Sequence, residues 1–334
     1  MDLAAQGVIP LGGGTRLLAS SGEVPNLLDL VGLDLSSLAI EDEDLLIGAT
    51  TTLQQLVESP LAYPATMGLL PLACRHGAAS RTIREMATLA GEAVHGDPDS
   101  ELCAALVALN AVFVVAHPEE KRESPAIRFL RDPAVDLDGG GLVESIMIPG
   151  APHGAALERV AALPSLPPLV AVAVTTTFSG ERLSRVRLAV TGLEGRPARV
   201  VEAEAHLERT AGDEEVLREA AEQVADSAPL RDDAQATSAH RRRLARVLTF
   251  RALRAAVERG RRREAPDVPR LRATQAPRPP APMTYFTSGR VELTVNGHKV
   301  WADAEARTTL LELLRGKAIY GVKAGCGAGR CGAC

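Results

Sequence analysis

The order of apolar and polar residues predicts strands at two places in the chain. The continuous apolar run at residues 167–174 is too short to cross a bilayer and predicts a buried strand. Between residues 290 and 301, β-branched and polar residues alternate on both sides of Asn296-Gly297, a dipeptide that favours a tight hairpin turn. We therefore expect a buried strand near the middle of the chain and a β-hairpin near its C-terminal end.

Two stretches have the spacing of short capped helices. An apolar segment follows Ser100 and ends at Leu109, and the serine hydroxyl is a suitable N-cap for it. Residues 308–315, Thr-Thr-Leu-Leu-Glu-Leu-Leu-Arg, predict a second short helix with a threonine cap.

A basic segment, residues 241–251, predicts an amphipathic helix. Leu244, Val247, Leu248 and Phe250 fall on or beside one face, and we expect the arginines to cover the other. A nucleic-acid patch is one interpretation of such a surface. We favour a solvated helix that docks, if anything, a partner subunit, because the net charge of −5 gives the chain no general attraction to nucleic acid.

Composition limits the kind of protein. The 334 residues allow two or three domains, and 46% hydrophobic residues suffice for a substantial core. The N-terminus shows no charged-then-apolar signal, so we expect a cytoplasmic protein with no membrane partner. Five cysteines, three of them in the last nine residues, fit a reducing compartment better than a disulfide scaffold.

A proline- and arginine-rich segment divides the chain. Residues 259–284 include Arg-Arg-Arg and Pro-Arg-Pro-Pro-Ala-Pro, a composition that cannot build a packed core. We expect a semi-extended linker of about 3 Å per residue, with a large region before it and a smaller module after it.

The last nine residues carry three cysteines, Cys326, Cys331 and Cys334, in a glycine-rich C-x4-C-x2-C arrangement. This spacing matches the first three ligands of a plant-type [2Fe–2S] cluster, and glycines let a loop backbone approach such a cluster closely. A glycine-rich tail with spare thiols is the alternative interpretation. The fourth, more distant ligand is not in the sequence, and we expect Cys74 and Cys103 to be core residues instead. We therefore expect the sequence to end inside its iron–sulfur domain, and these three thiolates alone to hold no stable cluster.

A triple glycine follows an apolar strand near the N-terminus. Gly12, Gly13 and Gly14 precede Thr15, and successive backbone amides in such a turn can form a nest for phosphate oxygens. A dinucleotide-binding G-x-G-x-x-G motif would need glycine where Leu17 stands, so that motif is excluded. By themselves the glycines are explained equally well by an ordinary tight turn.

Several segments, taken in order, resemble a known family. They are Gly-Gly-Gly-Thr at 12–15, Ile-Gly-Ala-Thr-Thr-Thr at 47–52, residues 83–91 and residues 97–101. On these residues the chain resembles the FAD-binding subunit or domain of the molybdenum hydroxylases, a family that includes carbon monoxide dehydrogenase medium chains and xanthine dehydrogenases. Further likeness lies at residues 156–160, 188–192, 196–204 and 238–248. Residues 290–334, with Leu-Thr-Val-Asn-Gly and the cysteine loop, resemble the N-terminal half of a plant-type ferredoxin domain.

The resemblance implies an α+β fold in four parts. Residues 1–150 would form a two-lobed FAD-binding domain of the PCMH type, whose N-terminal end we expect to be incomplete. Residues 151–258 would form the flavoprotein C-terminal α/β domain, and 259–284 the linker. Residues 285–334 would be the first part of a β-grasp ferredoxin-like module.

The resemblance also implies a function, namely electron transfer between [2Fe–2S], FAD and an acceptor. The partner would be a molybdopterin-binding large subunit, and the acceptor NAD or another oxidant; no nucleic acid and no membrane would be involved. We expect the side chains and backbone of this chain to bind the cofactors and to perform no acid–base catalysis. FAD would be held noncovalently, and the metal cluster would be bound by the three cysteines. The residues implied for FAD are Leu11, Gly12, Gly13, Gly14, Thr15, Arg16, Thr88, Gly91, Asp97, Glu101 and Arg159.

Some positions depart from the family pattern. Glu92 stands in place of an asparagine, Ala90 in place of a glycine, and Gly141 in place of a glutamate. A carboxylate at Glu92 would repel flavin phosphates unless it points away or pairs with a base such as Arg84. Glu92 and Ala90 therefore leave an alternative, a non-catalytic assembly module that has lost FAD. We expect His95 only to line or support the flavin pocket.

Overall fold

The computed structural model describes residues 8–17, 26–78, 80–163, 166–262, 288–305 and 307–325. These residues form a mixed α+β structure with two separate apolar cores. Within the ranges described, no helix is both long and apolar enough to span a bilayer.

Two sheets make up the first part of the chain. Their strands are β1 Ile9–Leu11, β2 Leu27–Asp29, β3 Leu38–Glu41, β4 Asp44–Gly48, β5 Val112–Ala116, β6 Lys121–Pro125 and β7 Leu142–Ile148. Strands β1 and β2 form a small parallel pair, at whose end the glycine turn begins. The other five form an antiparallel sheet in the order β3-β4-β7-β5-β6.

Short helices pack against the five-stranded sheet and bury its apolar face. They are α1 Leu53–Glu58, α2 Ala62–Ala65, α3 Leu69–Gly77, α4 Arg81–Met86, α5 Leu89–His95, α6 Glu101–Ala108, α7 Ala126–Phe129 and α8 Pro133–Leu137. Threonine and serine hydroxyls cap three of these helices at Thr52, Thr88 and Ser100, each satisfying a backbone amide of the first turn. Helix α6 is buried along all of its eight residues.

The second part is a four-stranded antiparallel sheet covered by three helices. Its elements are β8 Gly154–Val160, β9 Val170–Ser179, β10 Arg182–Val190, β11 Ala198–Arg199, α9 Val201–Leu207, α10 Glu214–Ser227 and α11 Ser238–Arg262. The strand order is β11-β10-β9-β8. Helix α11 packs on β8 and β9, and α10 packs on α11.

The third part holds a hairpin and a short helix. They are β12 Ser288–Val295, β13 His298–Glu305 and α12 Leu310–Gly316. Asn296 and Gly297 connect the two strands at positive φ, 51° and 83°, which a two-residue hairpin turn requires. Thr309 and Glu312 form a capping box at the start of α12.

The predicted local elements are confirmed. Residues 170–174 of the apolar run lie in β9, whose first seven residues are buried, and residues 167–169 precede the strand. The hairpin turns at Asn296-Gly297, and Ser100 caps α6 by accepting from the backbone N–H of Cys103. Cys74 and Cys103 are fully buried in the first core, as expected of small apolar residues.

The predicted faces of the basic helix are wrong in two places. Arg241 is completely buried, whereas Val247 is 43% exposed. The buried stripe of α11 instead runs through Ala245, Leu248 and Ala252. Arg241 joins this stripe because its guanidinium donates to the carboxylate of Asp233 at 2.6 Å and to the carbonyl oxygen of Leu169.

Candidate functional site

The glycine turn after β1 rests directly on the segment that enters α5. A Cβ on Gly13 would overlap the carbonyl oxygen of Met86, and one on Gly12 would lie 2.9 Å from the hydroxyl oxygen of Thr88. Gly14 has φ of +71°, a conformation that favours glycine. Three different constraints therefore require the three glycines, two of close approach and one of backbone conformation.

Thr88 fixes the segment on which this turn packs. Its hydroxyl accepts from the N–H of Gly91 at 3.2 Å and so caps α5. Backbone bonds on either side, from Leu53 to Ala87 at 2.9 Å and from Leu89 to Thr51 at 3.0 Å, tie the segment to the start of α1. The segment under the turn is therefore fixed to the core by hydrogen bonds on both sides of Thr88.

A cavity of about 760 Å³ opens beside the turn. Its walls come from three places in the chain: the strand and turn at 8–17, helix α5, and residues 137–143 before and within β7. Leu30 and Ala49 add apolar surface. The site therefore combines a glycine turn, where backbone amides can approach an anion, with an apolar slot that can accept a flat ring system.

The structure brings most of the predicted FAD-site residues to this cavity. Its lining includes Leu11, Gly12, Gly13, Gly14, Thr15, Arg16, Thr88 and Gly91. His95, which we expected to line or support the flavin pocket, is in this lining, and so are Ala90 and Gly141, two of the positions that depart from the family pattern. Asp97, Glu101 and Arg159 are not among the described residues that line the cavity.

Glu92 does not carry an unpaired charge. Its carboxylate accepts two bonds from Nε of Arg16, at 2.9 and 3.1 Å, and one from Nη2 at 2.6 Å. Burial acts to lower the pKa of Arg16, but the hydrogen bonds and charge of Glu92 outweigh it and raise that pKa. Glu92 is only 7% exposed, so the pair is shielded from water.

The suggested partner for Glu92, Arg84, is engaged elsewhere. Its Nε donates to the side chain of Gln54 at 2.8 Å and its Nη1 donates to the carbonyl oxygen of Ala78 at 2.7 Å. Of the two alternatives that the sequence left open for Glu92, pointing away or pairing with a base, the structure shows pairing, and the base is Arg16, 76 positions away in sequence.

Glu101 and Arg159 pair with each other. The ion pair joins the first turn of α6 to strand β8, and both side chains are largely buried. Burial raises the pKa of Glu101 to about 7, while the charge of Arg159 opposes that rise. Burial lowers the pKa of the neighbouring His76 to about 4, and Arg159 adds to this effect.

Sequence reasoning missed two further links between the first and second parts of the chain. Asp99, just before α6, accepts from Arg231 at 2.6 Å. The guanidinium of Arg196 packs over Gly96, which has φ of +60°, in the space that a side chain at that position would need. Neither contact leaves a local signal, because each joins loops far apart in sequence.

The predicted cluster ligands Cys326, Cys331 and Cys334 lie outside the described residues. The hairpin and α12 that precede them are described, and they have the order expected of the first part of a ferredoxin module. Across the described ranges, no group of three or more His, Cys, Asp or Glu side chains is arranged to hold a metal ion.

Three protein-family models match successive stretches of the chain. The FAD binding domain in molybdopterin dehydrogenase matches residues 3–151, and the CO dehydrogenase flavoprotein C-terminal domain matches residues 168–256. The 2Fe-2S iron-sulfur cluster binding domain matches residues 293–334, a range that contains the three C-terminal cysteines. The chain therefore contains an FAD-binding domain and an iron–sulfur domain.

Individual proteins give the same picture. The carbon monoxide dehydrogenase medium chain of Afipia carboxidovorans is 30% identical over 267 residues, which is 76% of this chain and 89% of that protein. The glyceraldehyde dehydrogenase medium chain of Sulfolobus acidocaldarius is 26% identical over 52% of this chain, and the match spans 62% of that protein.

A solved structure extends the likeness to the fold. A chain of carbon monoxide dehydrogenase from Hydrogenophaga pseudoflava, in a form that lacks the Mo-pyranopterin moiety of the molybdenum cofactor, superposes with a TM-score of 0.71. The two are 26% identical, and the match covers 77% of this chain and 93% of that one.

Proposed function

Because the chain belongs to the FAD-binding medium chains of the molybdenum hydroxylases, the family of the carbon monoxide dehydrogenase medium chains, we propose that it is their flavin and iron–sulfur electron-transfer component. In this proposal, electrons come from a molybdopterin-binding partner subunit by way of [2Fe–2S] to FAD. They leave to NAD or another acceptor.

The observation that supports the proposal is that the glycine turn packs closely on Thr88 and Met86 and lines the cavity. Gly12 and Gly13 lie so close to Thr88 and Met86 that no side chain fits, and the cavity beside them has room for a large cofactor. A ligand with an anionic diphosphate and a flat apolar ring matches such a site. The residues present therefore fit FAD.

The chain's own residues would bind and orient the cofactor. Gly12 to Thr15 would meet the diphosphate, and Thr88 and Gly91 would support that turn from below. FAD, when bound, supplies the ability to exchange electrons singly or in pairs. Direct flavin contacts by Asp97, Glu101 and Arg159 stay a prediction, because these residues lie outside the described cavity lining.

The geometry favours a flavin-binding chain over the assembly module. The alternative rested on a carboxylate that would repel phosphates, but Arg16 balances the charge of Glu92 at the site. Ala90 adds one methyl group to a cavity wall that remains open.

Flavin content tests the proposal. We expect the purified protein, after incubation with FAD, to show flavin absorbance and to release free FAD into the supernatant on boiling or acid precipitation. Protein with no bound flavin after incubation with excess FAD would reject this function in favour of the assembly module. To identify the acceptor, the bound flavin would be reduced with stoichiometric dithionite under anaerobic conditions. The recovery of oxidised-flavin absorbance would then be compared after adding NAD and after adding a quinone; re-oxidation by neither would reject NAD and quinones as acceptors.

A further inference from the structure

The ion pair between Arg16 and Glu92 determines the charge that an anionic ligand encounters in the cavity. The inference that we draw from this pair rests on the proposed function. Arg16 lies just after Thr15 at the end of the glycine turn, and Glu92 lies in the first turn of α5. The two charges cancel, so a phosphate that enters the cavity meets a neutral pair in place of a lone carboxylate.

The pair also fixes the turn at its far end. Gly12 and Gly13 already press on Thr88 and Met86, at the entrance to α5. The bonds from Arg16 to Glu92 attach the other end of the turn to the same helix, one turn further along. The turn is therefore held at one end by the connection between α4 and α5 and at the other end by α5 itself.

The guanidinium keeps donors beyond those that Glu92 takes. Glu92 engages Nε and Nη2, and the N–H groups on Nη1 are not part of that contact. A planar guanidinium held by one carboxylate can present its remaining edge to a second anion without searching for its orientation. Asp97 and the thiol of Cys103 also act to raise the pKa of Arg16.

We propose that Glu92 is a positioning residue for the diphosphate subsite. It acts through Arg16, which it holds against the cavity wall, so that the turn is formed and the cation oriented before the ligand arrives. The entropy of ordering a long side chain is then lost on folding and not on binding. Glu92, which departs from the family's asparagine, would thus favour FAD binding and not oppose it.

Ligands that differ only in phosphate content test this role. Dissociation constants for FAD, FMN and riboflavin would be measured by flavin fluorescence for the wild-type chain, Glu92→Gln, Arg16→Gln and the double variant. We expect Glu92→Gln to weaken FAD binding by about tenfold or more, the size of one charge-assisted hydrogen bond, and to change riboflavin binding by less than about twofold. The double variant should bind FAD no more weakly than Arg16→Gln alone, because both changes remove the same contact.

Matched controls separate positioning from general stability. Arg81 and Glu85 form an exposed Arg–Glu pair on the preceding helix α4, and Glu85→Gln should leave all three constants unchanged. If Glu92→Gln does not fold, Arg16→Lys keeps the charge but loses the two-point contact and should show the same selective loss of FAD.

The possible outcomes separate failure of the inference about Glu92 from failure of the proposed flavin-binding function. A wild-type chain that binds FAD, beside a folded Glu92→Gln variant that binds it equally or more tightly, would overturn the inference alone. Equal losses for FAD and riboflavin would also overturn it, since they would show a structural role only. A wild-type chain that binds no flavin would overturn the proposed function and the inference with it.

Discussion

At the scale of single residues, the site depends on where side chains are absent as much as on where they are present. Position 13 requires glycine because a Cβ there would overlap the carbonyl oxygen of Met86. The opposing atom is backbone, which cannot move aside as a flexible side chain can. Gly14 is required for a different reason, its positive φ.

Gly13→Val should therefore displace the turn and abolish flavin retention. We expect less than about a tenth of the wild-type flavin content, measured by absorbance after gel filtration, because a displaced turn no longer offers its amides to the diphosphate. Gly77→Ala is the matched control, since a Cβ there would meet nothing within 4 Å. A Gly13→Val protein with full flavin occupancy and unchanged melting temperature would show that the turn is only a connector.

At the scale of elements, the parts that the sequence predicted are those determined by neighbours in the chain. The hairpin follows from Asn296-Gly297, and the start of α6 follows from the Ser100 hydroxyl. What could not be predicted depends on distant partners. Arg241 is buried in α11 because Asp233 and the carbonyl of Leu169 surround it, and no helical periodicity contains that information. The same holds for Arg16 and Glu92, which meet only after the turn has packed on α5.

Arg241→Ala should destabilise the second part of the chain strongly. The change removes a fully buried side chain together with its bonds to Asp233 and to the carbonyl oxygen of Leu169, so we expect a loss of about 2–3 kcal/mol of unfolding free energy. Chemical denaturation would measure the loss. Arg243→Ala, at an exposed position of the same helix, should change stability by less than about 0.5 kcal/mol. Equal effects of the two substitutions would contradict the assignment of Arg241 to the core.

At the scale of the whole molecule, the first and second parts of the chain are joined through α6 and the residues beside it. Asp99 binds Arg231, Glu101 binds Arg159, and the hydroxyl of Thr175 donates to the carbonyl oxygen of Ala108 at 2.8 Å. Helix α6 also packs against β9, β10 and β11. Apolar contact and polar links therefore coincide along one helix.

Arg231→Ala should loosen this junction. We expect a melting temperature lower by several degrees, equivalent to about 1–2 kcal/mol, since the pair with Asp99 is largely shielded from solvent. A double-mutant cycle with Asp99→Ala should give a coupling energy of at least about 1 kcal/mol. Arg218→Ala removes an exposed pair with Glu214 and serves as the control. A coupling near zero would mean that the junction is held by apolar packing alone.

The complete burial of α6 has a consequence for how such chains can be recombined during evolution. A crossover between α6 and β9 would give the helix a foreign sheet to pack on, and its side chains that contact β9, β10 and β11 would face that mismatch. Helix α6 and the strands β9, β10 and β11 that it contacts should therefore be inherited together. The hairpin and α12, which follow a long proline- and arginine-rich stretch of sequence, belong to a module that can be gained, lost or exchanged as a separate unit.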